Sequence, residues 1–289
     1  MKLKDYSSSA RQLGLYSRCA ALAWTARWGW SAGVVMDAVG GLGGKSRGLA
    51  KSLFDGALLR KHEWSHSTHI NHYYTLSPQG WDYLYENLDQ ANEIAAKFDY
   101  PRVVIPKKSP RFQSGIAVHN LFTQLIGVIS LLDEKNGRPE SYKTNVECAG
   151  MQKIPDMLIQ RKCGLTDYIE FEYSKKSHSE IQNFLINYYF MLNKAGAEND
   201  RVNIYFSSSS LMSPFSRFWR SGSVLSEFQR NEKGQWRRAL VPVELPEGDY
   251  LQRLHSTTSR WPDLLARLAG LPRLTPRQST APVTAVVDW

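Results

Sequence analysis

Asp156, Glu170 and Glu172 are the residues whose types and spacing point to chemistry. Pro155-Asp156 sits in the apolar run Ile154 to Ile159. Fourteen residues after Asp156, Glu170 and Glu172 stand in Tyr168-Ile169-Glu170-Phe171-Glu172-Tyr173. Both runs read as strands. Side chains along a strand alternate between faces, so Glu170 and Glu172 share one face while Ile169, Phe171 and Tyr173 pack on the other. Adjacent strands lie about 4.8 Å apart, which lets Asp156 and the two glutamates converge on one ion. Three hard oxygen donors with open positions suit Mg2+ or Mn2+. Such an ion lowers the pKa of a bound water and takes up charge developing on a phosphate. Two glutamates on one face of a buried strand are costly unless they are paired or bind metal, whereas an exposed edge strand carries them cheaply.

The flanking elements must position this trio. Ile116 to Leu132 reads as a helix. Ser179 to Leu192 reads as another, with Ile181, Phe184, Leu185, Tyr188 and Leu192 in one stripe. Val202 to Phe206 reads as a further strand. His119, Asn120 and Gln124 on the earlier helix are within conceivable reach of the carboxylates, although His119 also suits an ordinary packed or capping role. Helix, strand pair, helix, strand is the order of the restriction-endonuclease core, and the site is similar to the PD-(D/E)xK nuclease superfamily. There is one departure from that pattern. The place where the superfamily puts lysine holds Glu172, as in members with a Glu-x-Glu form. The resemblance then implies a lysine from Lys176, or from Lys175, at the start of the next helix.

Residues 8–95 read as a second module. Ala10 to Trp28 forms a long helix, and Ser31 to Val39 a shorter one ended by Gly40-Gly41. A third helix runs from Lys45 to Phe54, with Leu49/Leu53 and Ala50/Phe54 as core-facing i,i+4 pairs. Ala57 to Lys61 and Tyr73 to Leu76 read as strands. Ser77-Pro78 supplies an N-cap and a first-turn proline for the helix Gln79 to Leu88. This plan resembles the winged helix-turn-helix. The resemblance implies a third helix in the major groove, with Lys45, Arg47 and Lys51 as DNA contacts. The hairpin carries His62, His66, His69 and His72. His69 and His72 are three apart and so fall on opposite faces of a strand, and no acidic or cysteine ligand stands at a suitable spacing. They read as exposed histidines of the wing.

The expected fold class is therefore α/β: an N-terminal winged helix-turn-helix, then a restriction-endonuclease-like core with a mixed sheet flanked by helices. The expected divisions are 1–98 for the winged helix, 99–113 for a proline-bearing basic linker, 114–270 for the nuclease-like domain and 271–289 for a tail. Charge agrees with a polyanionic partner. The chain carries 36 Lys+Arg against 27 Asp+Glu, net +9, and neutralised phosphates release counterions. Of the 12 basic residues after position 200, 11 are arginine, whose planar fork suits phosphate. Three cysteines cannot all pair and none lies in a C-x-x-C, so they read as reduced cytosolic thiols. No run reaches roughly 18 consecutive apolar residues, and the opening Met1-Lys2-Leu3-Lys4-Asp5 has no secretory character. A cytoplasmic protein without membrane insertion is expected.

A narrower resemblance joins the two modules. A winged helix followed by Pro155-Asp156 and Ile169-Glu170-Phe171-Glu172-Tyr173-Ser174-Lys175-Lys176 is similar to the MobC-type plasmid mobilisation relaxases and the replication-relaxation proteins, over about residues 30–210. It implies strand-specific nicking of DNA at a transfer origin, with Asp156, Glu170 and Glu172 as Mg2+ or Mn2+ ligands. Lys176 fits the family's downstream lysine better than Lys175. An accessory mobilisation or coupling protein would be a further partner. Two other classes share these features: a restriction or defence endonuclease, and a non-catalytic DNA-binding replication or mobilisation accessory protein.

Overall fold

Small side chains let the first helices pack closely. The run Ala20-Ala21-Leu22-Ala23 is buried on α1 (Leu3–Trp28). α2 (Gly33–Gly41) approaches it so closely that a Cβ on Gly40 would lie 2.6 Å from the Ser17 carbonyl oxygen. The computed structural model describes residues 3–41, 48–65, 69–148, 151, 153–230 and 236–272. The chain divides into two units, Met1–Ser141 with Leu265–Trp289, and Tyr142–Leu264.

In the first unit, α3 (Leu49–Asp55) is followed by an antiparallel hairpin of β1 (Leu59–Glu63) and β2 (His72–Leu76). Ser31, between α1 and α2, adds an isolated antiparallel bridge to Tyr74 of β2. α4 (Pro78–Phe98) starts as the Ser77-Pro78 pair predicts. The Ser77 hydroxyl accepts from the Gly80 amide at 3.0 Å and donates to the Ala57 carbonyl at 2.6 Å, tying the helix start to the turn that leads into β1.

The segment 99–113, expected as a linker, is held at several points along its length, with Arg102, Lys107, Lys108, Arg111 and Gln113 exposed between them. The Asn92 amide accepts from Val103 N–H at 2.8 Å and donates to Val103 C=O at 3.1 Å. Tyr16 donates to Pro101 O, Ser109 donates to Ala26 O, and Phe112 stacks on Tyr73 with centroids 4.3 Å apart. Each contact satisfies a backbone group or buries a ring, so a segment aperiodic in sequence is ordered by its neighbours. The division falls at Ser141/Tyr142, and α5 (Ser114–Leu132), expected with the second domain, belongs to the first unit. Buried Gln124 explains this. Its Oε1 accepts from Trp24 Nε1 at 3.1 Å and Ser31 Oγ at 2.8 Å, and its Nε2 donates to Trp30 O at 3.2 Å. By length and composition α5 could cross a membrane, but 72% of its apolar window is buried, as in a core helix.

The second unit is built on a mixed five-stranded sheet, ordered β3-β4-β5-β6-β9. The sheet's strands are β3 (Pro139–Thr144), within which the division at Ser141/Tyr142 falls, β4 (Met157–Arg161), β5 (Thr166–Glu172), β6 (Arg201–Phe206) and β9 (Leu254–Thr258). β4 and β5 are antiparallel, whereas β5, β6 and β9 run parallel. Parallel neighbours need a crossover, and α6 (His178–Leu192) supplies the one between β5 and β6. A capping box of Ser177 and Glu180 starts α6. Its stripe of Ile181, Phe184, Leu185, Tyr188 and Leu192 packs, as expected, against Leu158, Tyr168, Val202, Ile204 and Phe206 of the sheet. α7 (Ser209–Phe218) follows β6. A separate hairpin of β7 (Val224–Arg230) and β8 (Trp236–Glu244) is fastened to α6 through Asn183, which bonds both N–H and C=O of Phe228. α8 (Trp261–Gly270) ends the described helices, and residues 273–289 of the expected tail lie outside the described residues.

Candidate functional site

The β4–β5 register places the carboxylates. Met157 pairs with Ile169, so continuing one step puts Asp156, just ahead of β4, opposite Glu170. Directly opposed residues have Cβ atoms about 4.5–5.5 Å apart. The Asp156 Oδ2 turns to accept from the Phe171 amide at 2.8 Å, which anchors the side chain to the β5 backbone. Glu170 and Glu172 share one sheet face, as strand alternation requires, and are only 3% and 5% exposed. Ile169 and Phe171 are buried on the other face. Tyr173, expected to pack there as well, is 51% exposed because β5 ends at Glu172.

Buried carboxylates need partners, and lysines provide them. Lys153 Nζ lies 2.6 Å from Glu170 Oε1, and Lys176 Nζ lies 3.1 Å from Glu172 Oε2. The same Glu170 Oε1 accepts from the Tyr188 hydroxyl at 2.5 Å. Burial first, and then the negative charge of Asp156, push the Glu170 carboxyl up to about 8, against the pull of Lys153 and Tyr188. The ammonium and phenol are contacts that an ionised acceptor attracts, so proton and lysine compete for one oxygen. Burial also raises Glu172, with Lys176 opposing it and Asp156 adding to it. For Lys176 burial acts downward, but Glu172, Glu170 and Glu180 outweigh it and hold the lysine above its ordinary value. Lys175, the alternative, is exposed to solvent.

The donor set is the hard-oxygen type expected for Mg2+ or Mn2+. Among the described residues, however, no group of three His, Cys, Asp or Glu side chains is arranged to hold a metal ion. The carboxylates sense one another electrostatically, yet ammonium groups occupy two of their oxygens. Gln124 is committed to the first unit's core and is not a site residue. His119 stands beside Asn120, its Nδ1 3.4 Å from the Asn120 Oδ1.

Of the expected DNA contacts, Lys45 and Arg47 lie outside the described residues. Lys51 projects from α3 with a side chain 77% exposed, its Nζ 2.5 Å from Asp55 Oδ2 one turn on. In the hairpin, His62 stacks on Tyr73, His69 meets Phe122 edge-on, and His72 packs against Tyr74. Burial lowers both His69 and His72, favouring neutral rings. His66 is outside the described residues.

Sequence reasoning missed Lys153 as a site residue and placed Tyr188 only in the apolar stripe of α6. Lys153 precedes Asp156 by three positions in a loop, where no periodicity directs a side chain. Tyr188 was visible as part of the α6 stripe, but its hydroxyl contact with Glu170 spans 18 residues. Comparison with family models, characterised proteins and solved structures finds no match for this chain.

Proposed function

We propose that this chain is a divalent-metal-dependent DNA endonuclease of the PD-(D/E)xK type that nicks one strand at a plasmid transfer origin. The observation that carries the reading is the cluster at the β4–β5 register: Asp156 opposite Glu170, Glu172 on the same face, and Lys176 reaching Glu172 from the start of α6. An antiparallel pair followed by a helix and a parallel strand, with acids at the head of one strand and along the next, supports the nuclease core. The order α1, Ser31 bridge, α2, α3, β1–β2 hairpin, α4 supports a winged helix in the first unit. That module would read DNA through α3 and the segment before it, with Lys45, Arg47 and Lys51 as contacts.

Asp156, Glu170 and Glu172 would hold Mg2+ or Mn2+, which when bound supplies charge neutralisation and an acidified water. The chain's own groups do the positioning. The Phe171 amide fixes Asp156, Tyr188 fixes Glu170, and Lys176 keeps a positive charge beside the carboxylates where a scissile phosphate would lie. Tyr188 orients and does not attack: its hydroxyl is buried, spent on Glu170, and held well above its ordinary pKa by burial and the neighbouring Glu170 charge.

A second reading, a non-catalytic DNA-binding mobilisation or replication protein, is favoured by the lysines that already neutralise both glutamates. Incubating supercoiled plasmid bearing a transfer origin with the protein and Mg2+ or Mn2+ separates the readings. Open circles support nicking, linear DNA supports a restriction-type cut, and unchanged supercoils with retained DNA binding support the second reading. Asp156→Ala and Glu170→Ala should each abolish cleavage with mobility-shift affinity unchanged, because phosphate contacts are made elsewhere. Wild-type nicking by either variant ends the assignment at these residues.

A further inference from the structure

Lys153 is held as a bound cation would be. Its Nζ contacts Glu170 Oε1 at 2.6 Å and donates to the Ile154 carbonyl at 3.1 Å. It also stands 5.0 Å above the Phe184 ring and 5.7 Å from the Tyr188 ring centroid. Carboxylate, carbonyl and aromatic faces all attract positive charge. The side chain is 22% exposed, so it has a route to water, whereas Glu170 has almost none at 4%. Asp156 faces Glu170 across the strand pair, which makes Glu170 the carboxylate best placed to share an ion with Asp156.

We infer that Lys153 is an internal competitor for the divalent-cation position, an ammonium that must leave Glu170 before Asp156 and Glu170 can ligate one ion. The inference rests on the metal-dependent reading above and adds a residue to it. Charge supports the exchange. With all three carboxylates ionised, as ligation of a divalent ion requires, Asp156, Glu170 and Glu172 with Lys153 and Lys176 in place sum to one negative charge, and adding the ion without releasing a lysine would leave a net positive cluster in a buried site. Withdrawal of Lys153 restores neutrality. Lys153 is the one that moves because it sits on Glu170, the residue opposite Asp156, whereas Lys176 sits on Glu172, two residues further along β5.

The test is Mn2+ binding to the full chain, read from the electron paramagnetic resonance signal of free Mn2+, with no dependence on cleavage. Lys153→Met keeps the stem and removes the charge, and should tighten Mn2+ binding by about tenfold or more, since a competing unit charge a few ångströms away is gone. Lys153→Arg should stay close to wild type, and Lys176→Met should tighten binding less than Lys153→Met. Lys153→Gln serves as a second uncharged variant should the methionine variant not fold. Equal tightening in the Lys153 and Lys176 variants reduces the effect to general charge and overturns the inference. So does unchanged affinity in both uncharged Lys153 variants while wild type binds Mn2+ and Glu170→Gln abolishes binding; that result leaves the metal site standing. Absence of Mn2+ binding from every variant, or binding indifferent to Glu170→Gln, overturns the metal reading itself and the inference with it.

Discussion

Replacing Glu170 by Gln removes one charge while keeping the side-chain volume and an acceptor for the Tyr188 hydroxyl, so it isolates the cost of burying the carboxylate. In the folded chain burial and Asp156 hold this carboxyl at about 8, against an ordinary value of 4.5. Between those two values the folded chain keeps a proton that the unfolded chain has released. A group raised on folding contributes stability that is fully present below its unfolded pKa and is lost as pH climbs through the folded one. At about 1.4 kcal/mol for each pH unit of separation, the loss is on the order of 3–5 kcal/mol by about pH 9. Glu172, also raised by burial, works in the same direction. Urea-unfolding midpoints followed by circular dichroism at about pH 5 and about pH 9 read this out. Wild type should lose stability across that window, and Glu170→Gln should lose clearly less and exceed wild type at the alkaline end. An equal loss in both proteins would refute the reasoning. So would a wild type that gains stability as pH rises, because the Lys153 ion pair would then outweigh burial and keep Glu170 ionised throughout.

Two other ion pairs carry further expected outcomes. Lys176→Ala should lower single-turnover nicking by more than about tenfold with metal binding largely kept, whereas Lys175→Ala should be mild because its side chain is in solvent; equal, near-wild-type rates would mean that the site works without either lysine. Asp167→Ala should destabilise the fold by about 3–5 kcal/mol by stranding a buried charge, since Arg161 meets Asp167 through Nε and Nη2 at 2.8 Å each with both side chains almost fully buried; chemical denaturation measures it, and a loss under about 1 kcal/mol would mean that the pair behaves as a surface one.

Features set by neighbours in the chain were legible from residue order alone. Alternation along Tyr168 to Glu172 put both glutamates on one face, and the spacing of Ile181, Phe184, Leu185, Tyr188 and Leu192 defined the buried side of α6. Ser77-Pro78 marked the start of α4 because cap chemistry acts over three residues. These are consequences of fixed periods and local hydrogen bonding, which any chain with those residues obeys. Tertiary structure decided what depends on contacts between distant segments. Whether 99–113 runs free was decided by Asn92 on the preceding helix and by Tyr16, Ala26 and Tyr73, which are remote in sequence. The allegiance of α5 was decided by three Gln124 bonds to residues more than 90 positions away. The parallel placement of β9 beside β6 joins residues about fifty apart, and no pattern within either strand specifies that partner. The same holds at the site: residue order supplied three carboxylates and a lysine, but the pairing of Lys153 with Glu170 needed a loop side chain to find a buried oxygen. A charge withdrawn from water takes whichever partner the fold brings within reach, and only the folded chain determines which one that is.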